Sequence, residues 1–587
     1  MDQQFMKMLS DRFGMFVHYG IYSALGGYYK GERINGLGEW IQRRAMIPNA
    51  EYERLGREGF CPAPDFAKNL VKKAKAAGVR YIVLTAKHHD GFCLFKTACD
   101  GYNTYDYFGR DLCRELADAC RAEGLEVGFY YSHTLDWHEP NAGGNHALTN
   151  PNYKTSNRNS WDFPNDDINF PQYFRDKCLP QVRELLTGYG DLKLIWFDFP
   201  HDITDEESAE LRDTVKTLQP NCLINSRIGH SYCDYHSLSD NSLPTTPRDL
   251  PLECLVTLND TWGYKEYDDN WKTPESVIGI LCRTLSADSS LLLNVGPMAN
   301  GSLTPETEAI LAEVGKWTSR NKEAVYGVTG NPFPTLFPWG YMATKGNSLF
   351  LYLKEIPEEL CLSGLGGTPT AVTLLGEEEP TAFTYADGYL TLCPKDTGLP
   401  MPVYRIDFAA PPAISDTLVI DRARTTLPAA KALVVSCEDP HGEARPILYE
   451  CDIYRSDYAK HGLAVSRLEC THCWHSSEDL LAFDADFVEA GDYEVSLICA
   501  PGLYETRCAA PETETPYELT VGDVTKPLPV GVKESYRISA TGAFNVRHVR
   551  DGGVYHIPAP GRYRVILEKK GDEIGIGIAE VRFLRKA

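Results

Sequence analysis

Apolar runs alternate with amphipathic stretches over residues 10–320 of the chain. The stretch NLVKKAKAAGVRYIVLTA aligns with ELADACRAEGLEVGFYYS, which lies 46 residues further on, as Leu70 and Leu116 show (116 − 70 = 46). In both stretches, apolar residues at helical spacing precede a glycine and then a run of strand formers. Glycine ends helices because it adopts the left-handed conformation without steric cost. Each copy therefore predicts a helix that leads into a buried strand.

The same order recurs with looser spacing along the rest of this region. Helical stretches precede the apolar runs LKLIWFD, CLINSR and LLLNVGP, and a further helical stretch, PETEAILAEVGKWTSRN, follows the last of them. Apolar strands that do not alternate with polar residues, and that helices separate, indicate a parallel sheet covered on both faces. The number of these units predicts an α/β fold in which residues 1–335 form a TIM-like (β/α)8 barrel.

The helical periodicity ends near residue 340. The short apolar runs NSLFLYLK, AVTLLG and YLTLCP lie between Gly, Pro and Asp turns, which is typical of antiparallel β structure. We predict a small β-sandwich domain at residues 336–411, a linker at 412–439 and a second β-sandwich at 440–587. The second sandwich is also a candidate carbohydrate-binding module.

The composition limits the partners of the chain. The chain is 43% apolar, but no apolar run reaches the roughly 18 residues that a transmembrane helix needs, so we expect a soluble protein without a membrane partner. A net charge of −23 disfavours nucleic acid as a partner, because phosphate backbones are also anionic. The first residues lack the pattern of a signal peptide, which predicts a cytoplasmic protein or one secreted with its leader removed. The oligomeric state stays open.

Polar side chains follow several of the predicted strands at the point where each strand ends. The sequences VHYG, AKHHD, FYYS, WFD and NSR each bring a histidine, tyrosine, aspartate or arginine to the last residues of an apolar run. In a parallel barrel these strand ends meet on one face, where the active site lies. The adjacent imidazoles of AKHHD are therefore expected to form one wall of a pocket.

Three kinds of chemistry could use such a pocket. A metal site is disfavoured because the first strand offers only His18, and because the adjacent His88 and His89 would point to opposite faces of an extended strand. A serine nucleophile is disfavoured because no G-x-S-x-G turn follows a strand. Acid chemistry remains, with Asp198 at the end of a strongly apolar strand, where a carboxylate is costly to bury without a role or a partner. A structural salt bridge to Arg227 is the alternative for this residue. We expect neither a metal nor another cofactor.

A set of motifs resembles a known family. RFGMFVHYGIYS, GEW, YIVLTAKHHDGFCLF, GFYYSHTLDW, LIWFD, INSR, LECLVTLNDTWGY and LLLNVGPMANG occur in the order found in the α-L-fucosidases of glycoside hydrolase family 29. The resemblance covers residues 8–410. It implies a retaining exo-α-L-fucosidase that removes terminal α-L-fucose from fucosylated oligosaccharides or glycoconjugates by double displacement, through a covalent fucosyl-enzyme intermediate.

The resemblance also implies roles for individual residues. Asp198 matches the nucleophile of the family. The matching sugar-binding positions are His18, His88 and His89 for the fucose hydroxyls, Tyr130 and Arg227 beside the nucleophile, Glu39 and Trp40 on the sugar and aglycone sides, and Trp262 beside the C6 methyl group.

The position of the acid/base residue varies within this family. Asp240 lies 13 residues before Glu253 (253 − 240 = 13), which is the offset of a similar pattern in several fucosidases, and we favour Asp240 over Glu253. One departure from the family is Phe199, which directly follows Asp198 where a glycine is common. Two other functions stay open: an inactive barrel that binds fucosylated glycans, and a metal-dependent TIM-barrel hydrolase.

Overall fold

The barrel predicted from the apolar pattern is present. The computed structural model describes residues 10–144, 157–164, 167–248, 251–386, 388–421, 424–450, 464–466, 470–472, 479–500, 517–528, 534–537, 546–570 and 577–586. Eight parallel strands form one sheet, and we label them in chain order β1 Phe13–Val17, β2 Tyr81–Lys87, β3 Glu126–Ser132, β4 Leu194–Asp198, β5 Leu223–Ile224, β6 His236–Ser237, β7 Leu252–Thr257 and β8 Ser289–Val295.

The sheet closes on itself. Its strand order is β5-β4-β3-β2-β1-β8-β7-β6, and an isolated parallel bridge between Asn225 and Tyr235 joins the two edge strands just outside their bounds. Closure of a parallel sheet turns alternate side chains towards the barrel axis. The interior is filled by an aromatic and aliphatic cluster that includes Phe16, Tyr130 and Trp196. The prediction of a TIM-like barrel is confirmed.

Helices cover the outside of the sheet. The longer ones are α1 Asn49–Gly59, α2 Phe66–Ala76, α3 Leu112–Glu123, α4 Leu179–Gly188, α5 Asp205–Leu218, α6 Pro274–Ser286 and α7 Pro305–Arg320. Shorter elements are the helices Tyr22–Leu25, Ile41–Ala45, Thr104–Phe108 and Phe170–Tyr173, the π-helix Phe174–Cys178, the 3-10 helices Gly38–Trp40, Ser226–Ile228, Lys322–Ala324 and Ala429–Lys431, and the hairpin strands Tyr28–Tyr29 and Glu32–Arg33. No helix in the described part of the chain combines the length and apolarity needed to cross a bilayer.

The repeated helix-to-strand pattern corresponds to two successive units of the barrel. α2 leads into β2, and α3 leads into β3. Gly124 ends α3 with a φ of 75° and donates backbone hydrogen bonds to the carbonyls of the last turn. This left-handed conformation is the one that glycine adopts at low cost. The prediction made from the repeat is confirmed.

A small β-sandwich follows the barrel. One sheet contains Gly340–Lys345, Ser348–Leu353, Val403–Phe408 and Pro369–Leu374, the other contains Leu360–Leu362, Tyr389–Leu392 and Phe383–Ala386, and Leu365–Gly366 pairs with Ala413–Ile414. Their apolar side chains share one core. The indole of Trp317 in α7 donates to the Met401 carbonyl at 3.0 Å, so this domain packs directly on the barrel.

Two further sheets form the C-terminal domain. The larger contains Arg445–Pro446, Leu433–Ser436, Asp479–Phe487, Gly561–Lys569, Tyr517–Val521, Val524–Pro527 and Leu418–Ile420; the smaller contains Thr425–Pro428, Gly577–Arg585, Gly491–Ala500, Val546–Ile557 and Glu534–Arg537. A separate group of three short strands is Leu448–Glu450, Ala464–Ser466 and Thr471–His472. Side chains of the two larger sheets share a second core.

The predicted linker at residues 412–439 is wrong. Leu418–Ile420 and Leu433–Ser436 pair with Asp479–Phe487, and Thr425–Pro428 pairs with Gly577–Arg585. These runs are only three or four residues long, but their side chains fill the core between the two sheets. The stretch therefore belongs to the C-terminal domain, apart from Ala413–Ile414, which completes the small sandwich.

Candidate active site

Asp198 is the last residue of β4, and two side chains hold its carboxylate. The Tyr130 hydroxyl of β3 donates to Oδ2 at 2.8 Å, and Nη1 of Arg227 donates to Oδ1 at 3.0 Å. The Asp198 side chain keeps 14% of its surface exposed. A carboxylate held at both oxygens, with one side open to the pocket, is fixed in orientation and accessible to a ligand.

Arg227 joins two carboxylates. It lies in the 3-10 helix Ser226–Ile228, which follows β5 in place of a longer helix. Its Nη2 donates to Oδ1 of Asp240 at 2.5 Å and to the Leu238 carbonyl at 3.3 Å. Asp240 lies in the turn after β6, and 47% of its side chain is exposed. The short β5 and β6 therefore carry the loops that bring a cation and a second carboxylate to Asp198.

His18 follows β1 and is held in one tautomer. Its Nδ1 lies 2.7 Å from Oδ1 of Asn294, whose Nδ2 donates to the Trp262 carbonyl. Because that amide oxygen can only accept, Nδ1 carries the proton and Nε2 is a bare acceptor. Burial lowers the pKa of His18 to about 4, partly offset by the Asn294 hydrogen bond. The imidazole is thus neutral over the ordinary pH range.

His89 has an equivalent arrangement with a different partner. Its Nδ1 lies 2.7 Å from the Ser132 hydroxyl, which donates to the Leu135 carbonyl, so Nδ1 is again the donor. Its Nε2 lies 3.8 Å from Oδ2 of Asp198. Burial, with the nearby Lys87 and Arg227 cations, lowers the pKa of His89 to about 3. This bare nitrogen therefore lies next to the carboxylate.

His88 lies between the other imidazoles. Its ring stacks on Tyr130 with 5.5 Å between centroids and an angle of 14°, and its centroid is 5.7 Å from that of His18. Its Nδ1 is buried and has no hydrogen-bond partner among the described residues. Burial and the neighbouring histidines lower the pKa of His88. Both histidines of AKHHD thus lie on the pocket side, because the chain leaves the strand at this point.

The GEW motif closes another side of the pocket. It forms the 3-10 helix Gly38–Trp40, and its Glu39 is buried with Oε2 accepting from the Gly263 amide at 2.8 Å. Burial raises the pKa of Glu39 to about 7. The half-buried Trp40 ring lies 5.1 Å from that of His89, and Trp262 lies 5.2 Å from His18.

An aromatic floor supports these groups from the barrel interior. The Trp196 indole of β4 stacks on Tyr130 at 5.6 Å and 17°, and the Arg227 guanidinium lies 4.9 Å from the Trp196 ring centroid. Glu253, the second residue of β7, is fully buried below this floor. Its oxygens accept from Tyr81 at 3.0 Å and from the Trp196 indole at 2.9 Å, and burial raises its pKa to about 7. Both Glu253 oxygens are thus engaged with the barrel core.

Hydrogen bonds and ring contacts connect most of the residues singled out in the sequence around Asp198. Glu253 lies apart from them in the core. Sequence reasoning missed the anchors Asn294 and Ser132 and the floor residue Trp196. Asn294 is the one polar residue in the run LLLNV, which was a usable signal for a functional position. Trp196 carried no such signal, because an aromatic residue in an apolar strand is ordinary core.

Nucleophilic and acid–base chemistry fits this arrangement. A carboxylate anchored beside a cation can attack an electrophilic carbon, and a second, more exposed carboxyl can transfer a proton. Within the described residues, no three His, Cys, Asp or Glu side chains are grouped so that they could hold a metal ion.

Comparison with known proteins adds independent findings. A sequence model of the α-L-fucosidase family matches residues 2–323. Tissue α-L-fucosidase of Bos taurus is 27% identical over 400 residues, which cover 62% of this chain and 78% of that protein. The crystal structure of a Vibrio α-L-fucosidase covers 100% of this chain and 98% of its own, with a TM-score of 0.82 and 24% identity. The Lactobacillus casei α-L-fucosidase AlfC, in a variant bound to Fucα(1,6)GlcNAc, is 40% identical, with a TM-score of 0.51, and covers 55% of this chain and 100% of its own.

Proposed function

Because the chain belongs to the α-L-fucosidase family of glycoside hydrolases, we propose that it is a retaining exo-α-L-fucosidase with Asp198 as nucleophile and Asp240 as acid/base. The observation that carries the proposal is the pair of carboxylates held by neighbouring nitrogens of one guanidinium, that of Arg227. Retaining glycosidases need two carboxyl groups about 5–5.5 Å apart, and one shared arginine supports such a spacing.

The proposed reaction has two displacement steps. Asp198 attacks the anomeric carbon of fucose while the Asp240 carboxyl gives its proton to the departing glycosidic oxygen, so one C–O bond forms as another breaks. Asp240, now a carboxylate, then takes a proton from water as the water oxygen attacks the same carbon from the opposite side. Asp198 leaves as a carboxylate, and fucose is released with its anomeric configuration retained.

The choice of Asp240 over Glu253 rests on access. An acid/base must reach the glycosidic oxygen and later a water molecule. Asp240 is 47% exposed at the pocket, whereas Glu253 is fully buried and accepts hydrogen bonds from Tyr81 and Trp196. The raised pKa of Glu253 follows from burial and does not by itself indicate catalysis.

The tautomers of His18 and His89 support their proposed roles in sugar binding. His18 and His89 present bare Nε2 atoms, so each can accept a hydrogen bond from a fucose hydroxyl. Their low pKa values keep these acceptors unprotonated above about pH 5. Trp262 lies beside His18 and offers an apolar surface for the C6 methyl group, a feature that distinguishes fucose from most hexoses.

We further propose fucosylated oligosaccharides or glycoconjugates as the substrates. AlfC, the relative bound to Fucα(1,6)GlcNAc, supports this class of substrate. The alternative of an inactive fucose-binding barrel is less well supported, because Asp198 is present and held by Tyr130 and Arg227. A metal-dependent hydrolase would lose activity in a chelator, whereas we expect full activity there.

Two variants test the assignment. Asp198→Ala should fold, bind 4-nitrophenyl fucoside, and lose turnover by on the order of a thousandfold or more, because the barrier rises without loss of the hydroxyl contacts. Asp240→Ala should lose far more activity on oligosaccharides than on 4-nitrophenyl fucoside, because nitrophenolate leaves without a proton. Azide should partly restore Asp240→Ala and yield a fucosyl azide of retained configuration.

Glu253→Gln is the matched control. Its activity should fall by a similar factor on both substrates, without azide rescue. If azide rescue occurs in Glu253→Gln and not in Asp240→Ala, the acid/base assignment must be exchanged; near wild-type turnover by Asp198→Ala would remove the nucleophile assignment.

A further inference from the structure

Phe199, directly after Asp198, has an unfavourable backbone conformation. Its φ is 65°, a left-handed value that is rare for bulky side chains. The following Pro200 disfavours compact conformations at this position as well. The Phe199 carbonyl accepts from the His201 amide at 2.9 Å and from the Thr134 hydroxyl, and these hydrogen bonds hold the conformation. Glycine would adopt it with less strain.

The Phe199 ring packs beside two of the candidate site residues, His89 and Trp40. Its centroid is 5.4 Å from that of His89 and 6.2 Å from that of Trp40. Both Phe199 and Trp40 are half-buried, and both contact His89, whose Nε2 is 3.8 Å from Asp198. The strained residue thus places an aromatic ring next to His89 and directly after the proposed nucleophile Asp198. Strain of this kind persists where surrounding contacts hold it, and strained residues cluster at active and ligand-binding sites.

We propose that Phe199 determines specificity by binding the sugar to which fucose is linked, with its ring and that of Trp40 as the acceptor surface. This inference rests on the proposed function. The C–H face of a second pyranose can pack on an aromatic ring, and Phe199 and Trp40 form a half-buried pair of such rings beside His89. The ligand class is therefore a glycan whose second residue is a pyranose such as N-acetylglucosamine.

The test compares two leaving groups. α-L-Fucosyl fluoride releases fluoride, so it has no second sugar, while Fucα(1,6)GlcNAc has one. Phe199→Asn removes the ring, and asparagine tolerates the left-handed conformation. We expect kcat/KM on the disaccharide to fall about tenfold, while kcat/KM on the fluoride stays within roughly twofold of wild type. The inhibition constant of free L-fucose should not change.

Two variants serve as controls. Phe199→Tyr keeps the ring and should keep the wild-type ratio of the two kcat/KM values. Lys30→Asn makes the same kind of change at another left-handed residue, with φ 51° in the turn of the Tyr28–Arg33 hairpin, and should leave the ratio unchanged.

Different results would contradict the acceptor role of Phe199 and the proposed function. Equal losses on both substrates in Phe199→Asn, or no loss on either, would overturn the acceptor role. Weaker inhibition by fucose would place the ring against fucose itself and would also overturn it. A wild-type protein that hydrolyses neither substrate would instead contradict the proposed function.

Discussion

His18 and His89 are anchored through Nδ1 by different residues, and this anchoring decides what each ring can do. An amide oxygen holds His18 and a hydroxyl holds His89, and in each case Nε2 remains a bare acceptor. In the proposed function, the imidazole that accepts from the sugar thus depends on the neighbour that fixes its tautomer. Substitution of such an anchor residue is therefore a way to change substrate binding while leaving the reacting groups in place.

We predict that Asn294→Ala weakens substrate binding more than turnover. Without the amide oxygen, His18 can rotate or move its proton to Nε2, and KM for 4-nitrophenyl fucoside should rise about fivefold, or ~1 kcal/mol, with a smaller change in kcat. Asn331→Ala is a matched control, because it removes another buried amide, one that donates to the Thr335 carbonyl. A rise in KM in the control alone would contradict the role of Asn294.

Glu253 makes stability depend on pH. Its folded-state pKa of about 7 lies above the ordinary value of 4.5, so its contribution to stability is fully present below pH 4.5 and is lost as the pH rises through 7. Glutamine does not titrate. The free energy of unfolding of Glu253→Gln relative to wild type should therefore increase by ~3 kcal/mol between pH 4.5 and 8, as measured by urea titration. A difference that does not vary with pH would contradict the burial of an ionisable Glu253.

Sequence reasoning was more successful for some of these residues than for others. The placement of Asp198 and the histidines close together was predictable, because polar residues at strand ends converge in a barrel. Glu253 remained an alternative, because an inward-facing strand residue can point to the pocket or to the core below it. Its place near the start of β7, at the end of the barrel opposite the site, was a usable signal.

Among the elements, α5 begins with a complete capping box. The Thr204 hydroxyl accepts from the Glu207 amide, and the Glu207 side chain accepts from the Thr204 amide at 3.0 Å. We predict that Thr204→Ala lowers the free energy of unfolding by ~1 kcal/mol, because amides of the first turn lose an acceptor. Urea titration should show that Thr204→Ser restores most of the loss. Equal stability of the Ala and Ser variants would contradict the capping role.

Elements were predictable where they were long and repeated. The units α2–β2 and α3–β3 followed from apolar spacing and a glycine, since both features are local. β5 and β6 have two residues each, and such short strands exist only because neighbouring strands pair with them. The same reason explains the missed strands of residues 418–436, which gain their pairing from strands far along the chain.

For the whole molecule, the hydrophobic cores divide the chain into the barrel with its small sandwich and a C-terminal domain. The small sandwich packs on the barrel through Tyr352, whose hydroxyl donates to the Ala324 carbonyl, and through Trp317. The C-terminal sheets have a core of their own. AlfC covers its whole length with 55% of this chain, which indicates that a shorter protein of this family folds.

We predict that a chain ending after Asp416 folds and keeps most of its hydrolysis of 4-nitrophenyl fucoside. It retains the pairing of Leu365–Gly366 with Ala413–Ile414 and loses the bridge between Leu336 and Thr426. Circular dichroism should verify the fold, and kcat/KM should then be measured. A folded but inactive shorter chain would show that the C-terminal domain contributes to the site.

The position of β1 between β2 and β8 has a consequence for synthesis. Phe13 pairs with Leu291, so the ribosome must add 278 further residues (291 − 13 = 278) before the barrel can close. At about 5–20 residues per second this takes roughly 15 to 55 seconds. During that time an apolar strand remains without one of its two neighbours and is open to association with other nascent chains. Slower synthesis lengthens this exposure, so we expect the yield of native protein to fall as translation slows.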